Sequence, residues 1–235
     1  MGMAAIVAIA VALAVVYSGD RPGSKSTTTA GSTSSGGSSA ARTTTMVIAW
    51  NPSHQDDTGA DGWHEYAVCG DIAKRTMALL SDFTNVLCWD TSAGLSSKSS
   101  TALKSECDKA NAANAQIFIA IHVNGGAGSG FTGDYYAGDT ASGKFGEAVL
   151  KSAGATMGMT FYYVKPRSDL YVLNPAHNKA PIRVLLELGD NVADRALLTS
   201  AEGRQKLAAA LAKAVKENVP VGQTPASCGA GAGTT

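Results

Sequence analysis

The sequence predicts an α/β fold, a three-layer sandwich in which a twisted, mostly parallel (mixed) sheet has helices on both faces. Four short, nearly continuous apolar runs have the pattern of strands buried on both faces: Met46–Trp50, Asn85–Trp89, Ile117–Val123 and Ile182–Leu188. Segments with helical periodicity separate these runs along the chain. Only 6% of the residues are aromatic while glycine occurs 26 times, which suits helices packed on a sheet better than an aromatic-rich β-sandwich. Strand and helix alternation of this kind indicates helices on both faces of one sheet.

The remaining elements follow from periodicity and capping signals. Apolar residues at helical spacing predict helices over three segments: Glu65–Leu80, Thr101–Ala115 and Phe145–Met157. Thr199 and Glu202 form a capping-box pattern ahead of a last helix that buries Leu207 and Leu211. Two further strands are predicted at Phe131–Tyr136 and Thr160–Val164.

The 235 residues leave room for one folded domain plus accessory segments. Residues 1–17 include an uncharged apolar stretch, shorter than the ~20 residues that cross a bilayer, so we predict a signal or membrane-anchor segment. Residues 18–45 are mostly Ser, Thr and Gly and predict a disordered linker, and residues 220–235 predict a flexible tail. The folded domain is expected at residues 46–219. We expect export to the cell envelope or beyond, either secreted or anchored to the outer side of the cytoplasmic membrane.

The charges of the chain balance, with 19 Lys and Arg residues against 19 Asp and Glu residues. A domain that binds nucleic acid usually shows a basic patch on a basic background. We therefore predict that nucleic acid is not a partner.

Four ionisable side chains fall where the strands of such a sheet end or a helix begins: His54, Glu65, His122 and Glu187. Considered alone, His54 is interpreted as an ordinary surface residue. Glu65 alone is interpreted as an acid at the start of a helix, where it interacts favourably with the helix dipole. His122 and Glu187, however, interrupt apolar strands, and burying a polar group there is costly unless it is paired or coordinated. Two imidazoles and one carboxylate make a common catalytic zinc set, and a second carboxylate can then transfer protons. The pattern therefore indicates a zinc hydrolase.

The same residues carry a resemblance to a known family. The sequence resembles the zinc-dependent N-acetylmuramoyl-L-alanine amidases, a family of bacterial cell-wall hydrolases. The resemblance rests on four segments: Trp50–His54, Glu65 eleven residues later, the strand end Ile119–Asn124, and Leu185–Gly189. The resemblance spans residues 46–219, which become the expected catalytic domain. It implies that His54, Glu65 and His122 bind Zn²⁺, and that Glu187 is the catalytic carboxylate.

The resemblance also implies the reaction, which is hydrolysis of the amide between N-acetylmuramic acid and the L-alanine of the stem peptide in peptidoglycan. Zinc would polarise the carbonyl, with Glu187 as general base and then general acid. A zinc peptidase that cuts the stem peptide and a non-catalytic peptidoglycan-binding module remain the alternatives. We expect the protein to act as a monomer.

The sequence departs from the family pattern at four positions. Asn51 replaces an acid after the first strand, Ser53 and Gln55 replace glycines beside His54, and Trp89 replaces a common arginine. These changes affect the surroundings of the site and its substrate contacts rather than the ligand set.

Three more side chains are candidates for roles at the site. His64 is an alternative metal ligand, but neighbours on a helix point about 100° apart, so only one of His64 and Glu65 can face the metal. Asn124 and His177 are predicted to contact substrate, with His177 in the loop ahead of the last strand.

Cysteine occurs four times, at Cys69, Cys88, Cys107 and Cys228. An exported chain can keep disulfides, so we predict a Cys69–Cys88 bridge between the first helix and the second strand, with Cys88–Cys107 as the alternative. Four reduced, partly buried thiols are the competing expectation.

Overall fold

The structure is a computed structural model that describes residues 46–55, 63–91, 100–126 and 128–219. The predicted N-terminal segment, linker and C-terminal tail, with Cys228, lie outside the described residues. Within the described part of the chain, no helix has both the length and the apolar character needed to cross a membrane.

Strands and helices alternate along most of the domain. The strands are β1 (Val47–Pro52), β2 (Thr84–Leu87), β3 (Ile117–Asn124), β4 (Phe131–Tyr136), β5 (Phe161–Arg167) and β6 (Ile182–Asp190). The helices are α1 (Glu65–Leu79), α2 (Ser100–Ala112), α3 (Thr140–Met157), α4 (Arg195–Thr199) and α5 (Ala201–Asn218), with a short 3₁₀ turn at Tyr171–Leu173.

One six-stranded sheet forms the middle layer, in the order β2-β1-β3-β6-β4-β5. The pairs β1/β2, β1/β3, β3/β6 and β4/β5 are parallel, and only the β4/β6 pair is antiparallel. The predicted α/β class with a mostly parallel, mixed sheet is confirmed. Because β1, β3 and β6 run in the same direction, their carboxyl ends meet at one edge of the sheet, where this fold class binds ligands.

Separate apolar cores cover the two faces of the sheet. Ile117, Ile119 and Ile121 of β3 point to one face, where they pack with residues of α1, α3 and α5. Phe118 and Ala120 point to the other face and pack with α2 and the 3₁₀ turn. Successive side chains of a strand alternate between faces, so His122 falls on the α2 face. The three predicted layers are therefore present.

Two helix starts differ from the sequence prediction. Ser200, not Thr199, is the N-cap of α5, and its hydroxyl accepts a hydrogen bond from the Gly203 N–H at 3.0 Å. Helix α3 begins five residues earlier than predicted, because the side chain of Asp139 caps it by accepting the N–H of Ser142 at 3.1 Å. Local polar contacts, which apolar periodicity does not detect, determine both starts.

The predicted Cys69–Cys88 disulfide is wrong in this structure. Cys69, Cys88 and Cys107 are buried free thiols. Cys69 belongs to the core beside α1, whereas Cys88 belongs to the core beside α2 on the opposite face of the sheet. The strand layer therefore separates the two sulfurs. The alternative partner, Cys107, shares the core of Cys88 but is also a free thiol.

Candidate active site

A row of side chains crosses the α2 face of the sheet near the carboxyl end of β3. His122 is paired in register with Glu187 on β6, and Glu187 is in turn paired with Thr132 on β4. Thr132 is opposite Tyr163 on the edge strand β5. Residues that are paired across strands project to the same face, so His122, Glu187 and Tyr163 lie on one line across the sheet.

Glu65 reaches this row from the first residue of α1. Its carboxylate oxygen Oε1 lies 3.2 Å from Nδ1 of His122 and accepts the backbone N–H of Val123 at 3.3 Å. The Glu65 side chain is only 2% exposed, and that of His122 is 16% exposed. Burial alone would lower the pKa of His122, but the hydrogen bond to Glu65 and the charge of Glu187 outweigh burial and raise it.

His54 follows β1 and is held on two sides. Its Nε2 lies 2.6 and 2.7 Å from the two carboxylate oxygens of Glu106, a buried residue of α2. The imidazole also stacks on the ring of Trp89, with centroids 4.6 Å apart and planes at 18°. The other ring nitrogen, Nδ1, is buried and has no hydrogen-bond partner among the described residues.

Glu187 has the electrostatic character of a proton carrier. Its pKa is raised from the usual 4.5 to about 7, chiefly by burial; the charge of His122 opposes this rise, whereas the charges of Glu65 and Asp134 contribute to it. Its Oε2 atom is buried without a hydrogen-bond partner in the described part of the chain. A carboxylate with a pKa near neutrality can both accept and release a proton at physiological pH.

A pocket of about 260 Å³ opens beside the two imidazoles. Its wall combines polar and apolar side chains: Asn51, His54, Gln55, Leu103, His122, Leu170, Tyr171, Val172 and Leu185. Asn51, one of the four departures from the family pattern, presents a buried Oδ1 that has no hydrogen-bond partner among the described residues. Ligand pockets are typically of this mixed kind, with few polar groups on an apolar wall.

The remaining predicted site residues lie around this centre. Asn124 donates a hydrogen bond from Nδ2 to Thr132 Oγ1 at 2.9 Å, beside the row. His177 stacks on Tyr171, with ring centroids 3.9 Å apart, and so lies behind the pocket wall. His64 is the N-cap of α1 and contacts Tyr66, while the adjacent Glu65 approaches His122. Substrate contact by Asn124 and His177 stays a prediction.

Sequence reasoning missed Glu106 and Asp134. Glu106 is a carboxylate at position i+3 from Leu103, on a stripe of α2 that is otherwise apolar, and this interruption is a signal that could have indicated a buried partner. Asp134 is buried on β4 two residues beyond Thr132, and burial raises its pKa. For Asp134, the signal in the sequence is a single acidic residue among the otherwise uncharged residues of strand β4.

The donor chemistry of this region fits zinc. Two donors of a tetrahedral zinc ion with bonds of about 2.0–2.1 Å stand roughly 3.3 Å apart, close to the 3.2 Å between Glu65 Oε1 and His122 Nδ1. The buried Nδ1 of His54, which has no hydrogen-bond partner among the described residues, is a third donor atom of the required kind. Within residues 46–55, 63–91, 100–126 and 128–219, however, no three His, Cys, Asp or Glu side chains form a ready-made metal-binding group.

We compared the chain with known protein families and with curated protein sequences. The family model described as N-acetylmuramoyl-L-alanine amidase matches residues 48–217. No curated protein sequence is significantly similar to this chain.

Several solved structures share the fold. An N-acetylmuramyl-L-alanine amidase from Mycobacterium smegmatis is 22% identical, with a TM-score of 0.62 over 73% of this chain and 95% of that chain. The CwlD amidase from Clostridioides difficile, in complex with the GerS lipoprotein, is 21% identical, with a TM-score of 0.64 over 74% and 98%. The catalytic domain of CwlV, an amidase from Bacillus (Paenibacillus) polymyxa, is 22% identical, with a TM-score of 0.60 over 73% and 97%.

Proposed function

The chain belongs to the N-acetylmuramoyl-L-alanine amidase family of peptidoglycan hydrolases, and we propose that His54, Glu65 and His122 are its zinc ligands. The enzyme is an amidase that acts on the cell wall, and the family is typically zinc-dependent. The observation that supports the ligand set most directly is the 3.2 Å approach of Glu65 Oε1 to His122 Nδ1, two donors that come from different elements.

The metal and the carboxylate have separate tasks. When bound, a zinc ion supplies Lewis-acid chemistry, which polarises the scissile carbonyl and makes water more acidic. Glu187 takes the proton from the attacking water, whose oxygen bonds to the carbonyl carbon of the lactyl group. Glu187 then gives this proton to the nitrogen of L-alanine as the carbon–nitrogen bond breaks. The second proton of the water stays on the new carboxyl group, so the direct products are a lactyl carboxylic acid on the sugar and a free amine on the stem peptide.

The raised pKa of Glu187 suits both halves of this transfer. At a pKa of about 7, the value in the metal-free site, the carboxylate is a stronger base than an ordinary glutamate, and its conjugate acid still releases the proton readily. His122 is directly opposite Glu187, so the proton carrier adjoins the proposed metal ligands.

The open part of the α2 face supports a path for the substrate. Tyr163 is two strands from Glu187, which is roughly 10 Å at 4.7–4.9 Å per strand, and its side chain is 42% exposed. Lys165 places its Nζ 5.2 Å from the centre of the Tyr163 ring. A substrate whose amide lies at Glu187 can extend across Thr132 onto this ring. Tyr163 is therefore a substrate contact in this proposal.

The family places the reaction in the cell envelope. Residues 1–17 would then act as the export signal or membrane anchor, residues 18–45 as the linker and residues 220–235 as a tail. The apolar and Ser/Thr/Gly-rich compositions of these segments support this organisation. The chain would work as a monomer on its peptidoglycan substrate.

Mass spectrometry of digested peptidoglycan tests the function directly. Incubation of purified cell wall with the full-length protein should release intact stem peptides that begin with L-alanine, and leave sugar chains without peptides. Cuts inside the stem peptide would support the peptidase alternative, and binding without any cleavage would support the binding module. A parallel digest with the variant Glu187→Gln controls for contaminating hydrolases, because it should release almost no stem peptide.

A further inference from the structure

Glu106 is a buried carboxylate that the proposed reaction does not use. It lies on α2 with 2% of its surface exposed, and both of its oxygens approach Nε2 of His54. Burial of a carboxylate costs several kcal/mol unless the charge is paired or hydrogen-bonded. The described contacts give Glu106 one such partner, His54.

The contact determines which nitrogen of His54 carries the proton. An ionised carboxylate only accepts hydrogen bonds, so Nε2 must donate and therefore holds the hydrogen. In a neutral imidazole the lone pair is then left on Nδ1. Nδ1 is the atom that is buried without a hydrogen-bond partner among the described residues. Histidines that bind metals usually donate their other N–H to a carboxylate or carbonyl, which sets the tautomer and the ring orientation.

Trp89 holds the same ring in its plane. The indole stacks on the imidazole, and its own Nε1 donates a hydrogen bond to the backbone carbonyl of Pro52 at 2.6 Å. A 180° flip of the His54 ring would keep the stacking but would move Nε2 away from Glu106. Glu106 therefore selects one of two orientations that Trp89 alone would allow.

We propose that Glu106 is a positioning residue that fixes the orientation and tautomer of His54, so that Nδ1 is directed to the metal. The inference rests on the proposed role of His54 as a zinc ligand. It assigns a function to a carboxylate on α2, an element that contributes none of the proposed ligands.

Zinc affinity tests the inference in the full-length protein. Competition with a chromophoric chelator would be measured for wild type, Glu106→Gln, Glu106→Ala and the matched control Glu147→Gln, a half-exposed glutamate of α3 that pairs with Lys151. We expect Glu106→Ala to weaken zinc binding by about 10–100-fold. Glutamine at position 106 keeps an acceptor oxygen but carries no charge, so the zinc affinity of Glu106→Gln should lie between those of Glu106→Ala and wild type. The zinc affinity of Glu147→Gln should equal that of wild type.

Two further measurements separate positioning from a merely structural role. In the metal-free protein, nitrogen NMR should show the Nε2–H tautomer of His54 in wild type and a mixture in Glu106→Ala. In a His54→Ala background, Glu106→Ala should cause no further loss of zinc affinity. If Glu106→Ala does not fold, the nearly isosteric Glu106→Gln decides the result through the same measurements.

The outcomes distinguish the two proposals. Zinc affinities within about twofold of wild type in both Glu106 variants would overturn the positioning role and leave the ligand set intact. Equal losses from Glu106→Ala with and without His54 would also overturn it. A wild-type chain that binds no zinc would overturn the proposed ligand set, and this inference with it.

Discussion

His122 and Glu187 are directly paired residues of the neighbouring parallel strands β3 and β6, and both project from the α2 face of the sheet. This pairing brings an imidazole that contacts Glu65 next to a carboxylate whose pKa is raised to about 7. Strands in a sheet are about 4.8 Å apart, so the two side chains are close enough to act on the same bound group, as the proposed mechanism requires. The proposed chemistry of the site depends on this register.

Replacement of the proton carrier should abolish most turnover without loss of metal. Glu187→Gln keeps the size of the side chain but removes its basicity, so kcat should fall by about 10²–10⁴. Zinc content, measured by atomic emission on purified protein, should equal that of wild type. Turnover within threefold of wild type would contradict the assignment of Glu187.

Removal of zinc should abolish activity reversibly. Because Glu65 and His122 supply two adjacent donors, a chelator should yield an inactive protein, and added Zn²⁺ should restore hydrolysis. His122→Ala should not recover under the same treatment. A metal-free preparation that still releases stem peptides would rule out the zinc mechanism.

The metal-free protein should lose stability as the pH rises from about 4.5 to about 7. The folded-state pKa of Glu187 is raised above its usual value, so the native state retains a proton that the unfolded state has already released. The contribution of protonated Glu187 to the free energy of unfolding is therefore complete below pH 4.5, and it is lost as the pH rises through about 7. The raised pKa of His122 acts in the same direction above pH 6.5.

Urea unfolding at several pH values measures this dependence. The fall in the free energy of unfolding between pH 4.5 and 7 should be smaller in Glu187→Gln than in wild type, because glutamine does not titrate. Glu147→Gln, on an exposed helix surface, should leave the profile unchanged. Identical profiles for wild type and Glu187→Gln would show that Glu187 is not perturbed.

Loss of the exposed ring on β5 should weaken substrate binding more than turnover. An aromatic contact contributes about 0.5–1.5 kcal/mol, so Tyr163→Ala should raise KM roughly 2–10-fold with little change in kcat. The neighbouring Tyr162 donates its hydroxyl to the carbonyl of Ser129 and serves as the matched control. An equal rise in KM for Tyr162→Ala would argue against a specific contact at Tyr163.

Cys69 and Cys88 should remain unlinked in the folded protein. The two thiols lie in cores on opposite faces of the sheet, so a bridge would require one of them to pass the strand layer. Peptide mapping after alkylation under denaturing, non-reducing conditions should recover each cysteine as an unlinked, alkylated peptide. A cross-linked Cys69–Cys88 peptide would contradict the arrangement of the two cores.

Much of the fold follows from local sequence patterns. Apolar runs and helical stripes predict the strands and helices, because each element must bury one face or both. His122 and Glu187 stand out for the same reason, as polar residues in otherwise apolar strands. Boundaries were less predictable, since α3 and α5 begin where Asp139 and Ser200 cap them.

The sequence by itself determined the α/β class and the amidase family, and it singled out His54, Glu65, His122 and Glu187 as candidate site residues, because periodicity and motif spacing are local properties of the chain. Only the tertiary structure decided which of these side chains meet. Glu106 and His54 are 52 positions apart, and their contact exists because α2 packs on the sheet above the end of β1. Cys69 and Cys88 are only 19 positions apart but are separated by the sheet. Contacts of this kind depend on which face of the sheet each element covers, and that depends on the packing of the whole domain.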